Sequence, residues 1–214
     1  MNQLDPELFY RRHLPHYQPP GATLFATFRL AHSMPAEARL RLLAEASDVD
    51  RRLARITDAK LRVEQADQED RRMFGKWDDA LGATAEGQQW LRDARVAEEV
   101  SRSLHYEDGR RYVLSAFCIM PNHVHVVCTP LLAEDGTYHT LASILQSIKG
   151  FSAIRANRVL GRKGTFWQHE SYDHVVRDEA ELHRIVEYVL SNPVKASLVK
   201  QWQDWQWSFY RAAV

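Results

Sequence analysis

The segment Cys118-Ile119-Met120-Pro121-Asn122-His123-Val124-His125-Val126-Val127-Cys128 constrains this chain more than any other. It reads as one strand, a tight Pro-Asn turn and a second strand with two histidines one residue apart. Alternate side chains of a strand share a face. His123 and His125 therefore point one way, and Val124 and Val126 point the other way into a core. Two imidazoles fixed side by side on a strand are half of a metal site, so the rest of the chain is read for the other half.

The 214 residues suit one generous domain or a domain with an insertion, and 45% hydrophobic content suffices for a packed core. No apolar run is long enough to span a bilayer, and the N-terminus lacks the charged-then-apolar pattern of a secretory leader. No membrane association is expected. The cysteines are two, Cys118 and Cys128, on strands flanking one turn. Reduced thiols in a cytoplasmic protein are expected. A cysteine contribution to the metal site is one alternative, but by parity Cys128 faces with Val124 and Val126, away from the histidines, which favours a core role.

Charge is balanced, with 28 basic and 28 acidic residues, which argues against a globally basic nucleic-acid binder. The distribution is uneven, however. No acid lies between Asp135 and Glu170, where Lys149, Arg155, Arg158, Arg162 and Lys163 cluster. A local basic face can grip phosphates on a neutral molecule; the plainer alternative is a solvated helix face.

Residues 1–20 read as an arm carrying Arg11 and Arg12, and Thr23 to Leu30 as a strand. Pro35 opens a long helical region that looks like an insertion over about 35–86. Within it, the charged segment 47–72 is expected as an extended excursion, and Gly75 to Gly87 as a break. A helix is predicted over 88–104, a turn at Asp108-Gly109, and a hairpin of Tyr112 to Met120 with His123 to Thr129. A helix from Leu141 to Val159 ends at Gly161 and Gly164. A strand runs from Phe166 to Val176. A last helix starts at Asp178 as cap and is stopped by Pro193. The tail from Trp202 to Tyr210 packs back on the body. The order β–α–β–β–α–β–α implies an α+β, ferredoxin-like antiparallel sheet with packed helices.

The last helix has a core stripe of Leu182, Ile185, Val186, Val189 and Leu190. Tyr188 and Asn192 stand off that stripe, four residues apart on one flank. Asn192 offers a carbonyl oxygen as a third ligand, and Tyr188 a phenol able to attack phosphorus. A divalent cation on two imidazoles and an amide keeps positions open for a phosphodiester oxygen and acts as a Lewis acid. A phenol, with a pKa of about 10, needs such a polarised and well-placed target. Each element also has a plain structural interpretation: a chance His-x-His pair, a packing tyrosine, an Asn-Pro stop signal.

The blocks Pro121 to Val127, Phe166-Trp167-Gln168, Tyr172 to Arg177 and Glu187 to Lys195, with the tail from Trp205 to Tyr210, resemble the single-tyrosine HUH single-strand DNA transposases, specifically their REP-associated branch. The resemblance covers about 11–30 and 88–210. It implies a ferredoxin-like nuclease fold, Mg²⁺ or Mn²⁺ dependence, and cutting and joining of single-stranded DNA near palindromic hairpins through a 5′-phosphotyrosine. On this pattern His123 and His125 are metal ligands and Tyr188 the nucleophile. Asn192 stands where the branch has Asn and many broader relatives have Gln. Tyr172 is the rival nucleophile. DNA contacts would fall to Lys149, Arg155, Arg158, Arg162 and Lys163, with Arg11 and Arg12, while Trp167 could stack on bases or fill the core. The branch resembles monomers and the wider family homodimers; both remain open. Two other activities remain open as well: a hairpin-binding regulator that does not cut, and a metal phosphodiesterase that uses water.

Overall fold

The computed structural model describes residues 19–83 and 87–212. Arg11 and Arg12 lie outside the described residues. The described residues divide into two compact units: 34–83, and 19–33 with 87–212.

In the second unit, strands β1 (Leu24–Leu30), β2 (Tyr112–Ile119), β3 (His123–Pro130), β4 (Trp167–Val175) and β5 (Ser208–Tyr210) form one antiparallel sheet in the order β4-β1-β3-β2-β5. The first four strands reproduce the ferredoxin-like order that the sequence implied. The short β5 extends the sheet because the tail does fold back, and Trp205 Nε1 donates to the Ile119 carbonyl at 3.0 Å.

Helices α3 (Ala94–Tyr106) and α4 (Leu141–Val159) share one core with one face of the sheet. Leu24, Ala26, Phe28 and Leu30 of β1 and Val124, Val126 and Cys128 of β3 pack with Val96, Val100 and Leu104 of α3 and Ile144 and Ile148 of α4. The period-two alternation of β3 meets the helical spacing of α3 and α4 here, which is why these segments bury one side each. Cys128 is part of this core, and burial pushes its thiol up to about 12. Trp167 is buried too, at 4.8 Å centroid separation from Phe28, with its indole N–H donated to Ser152 Oγ at 2.9 Å. It fills the core rather than presenting a face to bases.

Helix α5 (Glu179–Lys195) packs over the other face, where the histidines lie. Asp178 caps it, accepting from Glu181 N at 2.7 Å. Glu181, in the first turn, accepts from Arg177 N at 2.9 Å and pairs with His174 Nε2 at 3.1 Å, which ties the helix start to β4. Contrary to the sequence expectation, Pro193 does not stop α5. It sits in the last turn and is buried. A proline there removes a single N–H donor, and the chain continues helically to Lys195, with Ala196 N donating to the Asn192 carbonyl at 2.9 Å.

The first unit is a helical pair, α1 (Ala36–Leu53) and α2 (Ala59–Ala83). The stretch 47–72 is therefore not an extended excursion, and the break expected from Gly75 does not occur. Leu42, Val49 and Leu53 of α1 recur at helical spacing and meet Ala66, Met73 and Leu81 of α2 in a separate core. That seam offsets the cost of about 1 kcal/mol for each helical glycine, Gly75 and Gly82. The charges that suggested an excursion form bridges across the pair, Arg52 to Glu69 and Arg72 to Glu45, each at 3.0 Å. Among the described residues, no helix is long and apolar enough to cross a membrane.

Two outcomes follow from this packing. Phe28→Ala, at a site 1% exposed, is expected to destabilise the sheet unit by about 3–5 kcal/mol, read from denaturant midpoints. Burial raises the Glu181 carboxyl, but the Arg177 N–H and His174 outweigh it and hold the group below its usual value. Its stabilising contribution is thus present above the unfolded glutamate pKa of about 4.3 and fades as pH falls through the folded value. Glu181→Gln is expected to flatten the acid limb of the stability–pH curve.

Candidate metal and nucleophile site

The site is built on the central strands. β1 and β3 pair with Thr27 opposite His125 and Arg29 opposite His123. Opposed residues of an antiparallel pair share a face, so β1 supplies the immediate neighbours of both imidazoles. Thr27 Oγ1 lies 2.8 Å from His125 Nδ1, and Asn122 Oδ1, from the hairpin turn, lies 2.6 Å from His123 Nδ1. Both histidines are almost wholly buried, at 1% and 0% exposure.

An amide oxygen can only accept, so His123 carries its proton on Nδ1 and a lone pair on Nε2. The two Nε2 atoms are 3.0 Å apart, with the rings 79° from coplanar. Two facing lone pairs at that distance require a proton or a cation between them. The Thr27 hydroxyl can serve either case by rotation. It donates to His125 Nδ1 when His125 holds its proton on Nε2, and it accepts when both Nε2 atoms are free to ligate. Two nitrogens at right angles on one cation, with bonds of about 2.1 Å, stand about 3.0 Å apart. The pair therefore fits a metal ion, with its outer nitrogens held by partners that fix ring orientation.

Tyr188 is the residue that α5 brings to this pair. Its ring centroid lies 5.6 Å from that of His125, at 72°, and 6.2 Å from Phe25 of β1, at 85°. Four residues on, Asn192 is buried and its Nδ2 donates to the Tyr188 carbonyl at 2.9 Å. That anchors the amide nitrogen and leaves Oδ1 as the atom of this amide able to ligate a cation. Tyr172 is on the same sheet face, opposite Thr27, and its ring is 6.0 Å from Phe25. It stands on β4, one strand further from the histidines than Tyr188's contact. Lys195 Nζ sits 4.5 Å over the Tyr188 ring.

The basic cluster is more engaged than its sequence suggested. Lys149 Nζ donates to the His169 carbonyl at 2.7 Å, and burial, helped by the charge of Arg29, pushes its pKa down to about 8. Arg155 faces Glu99 at 3.5 Å. Arg162 lies 3.9 Å over the Trp90 ring and donates to the Thr165 carbonyl at 3.2 Å. Arg158 and Lys163 are exposed.

Sequence reasoning missed Thr27, Asn122, Phe25 and Lys195. Asn122 carried a signal, as an amide next to a histidine. Lys195 carried one in its spacing of seven from Tyr188. Thr27 and Phe25 carried none, because only strand register brings them to His125.

No model of a known protein family matches the chain. A Haemophilus influenzae protein assigned provisionally as a REP-associated tyrosine transposase is 30% identical over 105 residues, covering 46% of this chain and 59% of that protein. The Escherichia coli REP-associated tyrosine transposase is 28% identical over 105 residues, covering 49% and 58%. The chain thus spans somewhat over half the length of these curated relatives. A solved REP-associated tyrosine transposase, bound to a REP hairpin, superposes with a TM-score of 0.52 at 18% identity, covering 92% of this chain and 81% of that one. Over the matched stretch this chain is similar in sequence to REP-associated tyrosine transposases, and it shares the fold of a solved one.

Proposed function

We propose that this chain cuts and rejoins single-stranded DNA beside palindromic hairpins, with Tyr188 as nucleophile and with His123, His125 and Asn192 holding a Mg²⁺ or Mn²⁺ ion. The observation that carries this reading is the Tyr188 ring 5.6 Å from His125, whose Nε2 is 3.0 Å from that of His123. When bound, such an ion supplies Lewis-acid polarisation of the scissile phosphate.

The chain's own residues supply the positioning. Thr27 and Asn122 fix the imidazoles, and Phe25 and α5 set the phenol beside them, which lowers the entropic part of the barrier. The Tyr188 oxygen bonds to phosphorus as the bond from phosphorus to the 3′-oxygen breaks. The phenol's proton is balanced by the one that the departing 3′-hydroxyl gains. The phosphotyrosine ester conserves the bond energy, so a 3′-hydroxyl can reverse the step and join a strand. His125 and Tyr188 meet within one chain, which supports a reading in which one subunit carries the chemistry.

The structural neighbour's REP hairpin makes a palindromic hairpin the proposed partner here. Arg158 and Lys163 are the exposed phosphate contacts, with Lys149, Arg155 and Arg162 beside them and Arg11 and Arg12 on the arm. The charged helical pair is taken as an insertion into this transposase-like domain.

Labelled single-stranded hairpin oligonucleotides with Mn²⁺, resolved on denaturing gels, test the reading. A covalent adduct is expected with the parent chain and with Tyr172→Phe, and none with Tyr188→Phe. An adduct that persists in Tyr188→Phe and vanishes in Tyr172→Phe would overturn the nucleophile. Hairpin binding without cleavage would instead mark a regulator. Cleavage indifferent to Tyr188→Phe, with no adduct, would mark a phosphodiesterase using water. Thr27→Val removes the group at His125 Nδ1 and is expected to weaken Mn²⁺ binding about 10–100-fold by calorimetry. Unchanged affinity would remove Thr27 as the group that orients His125 for the ion.

A further inference from the structure

The flank of α5 that carries Tyr188 also carries a cation. Lys195 follows Tyr188 by seven residues, close to two full turns, so the two side chains stack along one side of the helix. Lys195 Nζ lies 4.5 Å from the centre of the Tyr188 ring. An ammonium over an aromatic face is attracted by the ring quadrupole.

This placement depends on the helix passing through Pro193. The last turn is closed by Ala196 N on the Asn192 carbonyl, at 2.9 Å, and followed by Leu198 N on the Pro193 carbonyl, also at 2.9 Å. A helix ended at Asn192 would leave residue 195 off the Tyr188 flank. Contacts now reach the phenol ring from three directions. Phe25 and His125 meet it at steep angles, and Lys195 lies over its face. The backbone beneath it is held as well, since Ser191 Oγ and Asn192 Nδ2 both donate to the Tyr188 carbonyl, at 3.0 and 2.9 Å. Lys195 is exposed, so no buried core interaction accounts for its position.

We propose that Lys195 is a positioning residue for the tyrosine nucleophile, clamping the Tyr188 ring through its face so that the phenolic oxygen is presented in one orientation. The inference rests on the assignment of Tyr188 as nucleophile. A clamp on the attacking group acts on the rate of the cutting step, because the group is aligned before it reacts. It leaves hairpin affinity unchanged, since it works through Tyr188 and not through DNA.

The test compares Lys195→Met, which keeps the aliphatic stem and removes the charge, with Lys195→Arg, which restores a cation. Single-turnover cleavage of a labelled hairpin oligonucleotide with Mn²⁺ is expected to slow about fivefold in Lys195→Met and return close to the parent rate in Lys195→Arg. The hairpin dissociation constant is expected to be the same in all three proteins. Independently of activity, the Lys195 ε-methylene protons are expected to be shifted upfield by the Tyr188 ring current, and to lose that shift in Tyr188→Leu. A parent-like rate in Lys195→Met overturns the proposal, as does a Lys195→Arg variant no faster than Lys195→Met. So does an effect confined to the dissociation constant, which would make Lys195 a phosphate contact, and so does an absent ring-current shift. Failure of the underlying assignment looks different: the parent chain then forms no adduct, or forms one that survives Tyr188→Phe.

Discussion

The register of β1 against β3 is the constraint on which the candidate site depends. It sets Thr27 opposite His125, and with the hairpin turn that brings Asn122 to His123 it holds two imidazole edges 3.0 Å apart. A shift of one residue would turn the histidines into the core and Val124 and Val126 toward α5. What prevents that shift is the apolar set on the opposite face. Phe28, Val124, Val126 and Cys128 share a core with α3 and α4, and exposing them to water would cost far more than any single polar contact could return.

The sheet therefore has two differently used faces. One is apolar and supplies rigidity. The other carries buried imidazoles, whose polar atoms must be satisfied because a buried unpaired group costs about 1–3 kcal/mol. Helix α5 packs on the second face, is anchored at its start by Asp178 and Glu181, and reaches the histidines by way of Tyr188. A site on strands and a capped helix is more precise than one on loops. The helical pair of the other unit keeps a separate apolar seam of its own.

The zero net charge takes on a more specific meaning once contacts are known. The acid-free stretch that looked like one basic face is divided between internal duties and solvent. Lys149 and Arg162 have partners within the fold, while Arg155, which meets Glu99 at 3.5 Å, is exposed, as are Arg158 and Lys163. A run of like charges in sequence fixes the local sign of potential, but not which of its members remain available to a phosphate.

Much of this protein was legible in its residues. The alternation in Val124-His125-Val126 assigned the faces of β3, the spacing of Tyr188 and Asn192 put them on one flank, and the element order implied a ferredoxin-like sheet. Periodicity is a local property, so sequence carries it in full. Other features depended on neighbours. Proline opposes helix interiors, so Pro193 reads as a stop in sequence, yet in a last turn it removes only one donor. The charges of 47–72 read in sequence as an extended excursion, yet they flank an apolar seam that two helices share. The sequence by itself determined which side chains each element turns to a common face. Only the tertiary structure decided which elements face one another, and so that Thr27 and Phe25 meet His125 and Tyr188, because strand register and helix docking are set by contacts between residues about 100 to 160 positions apart.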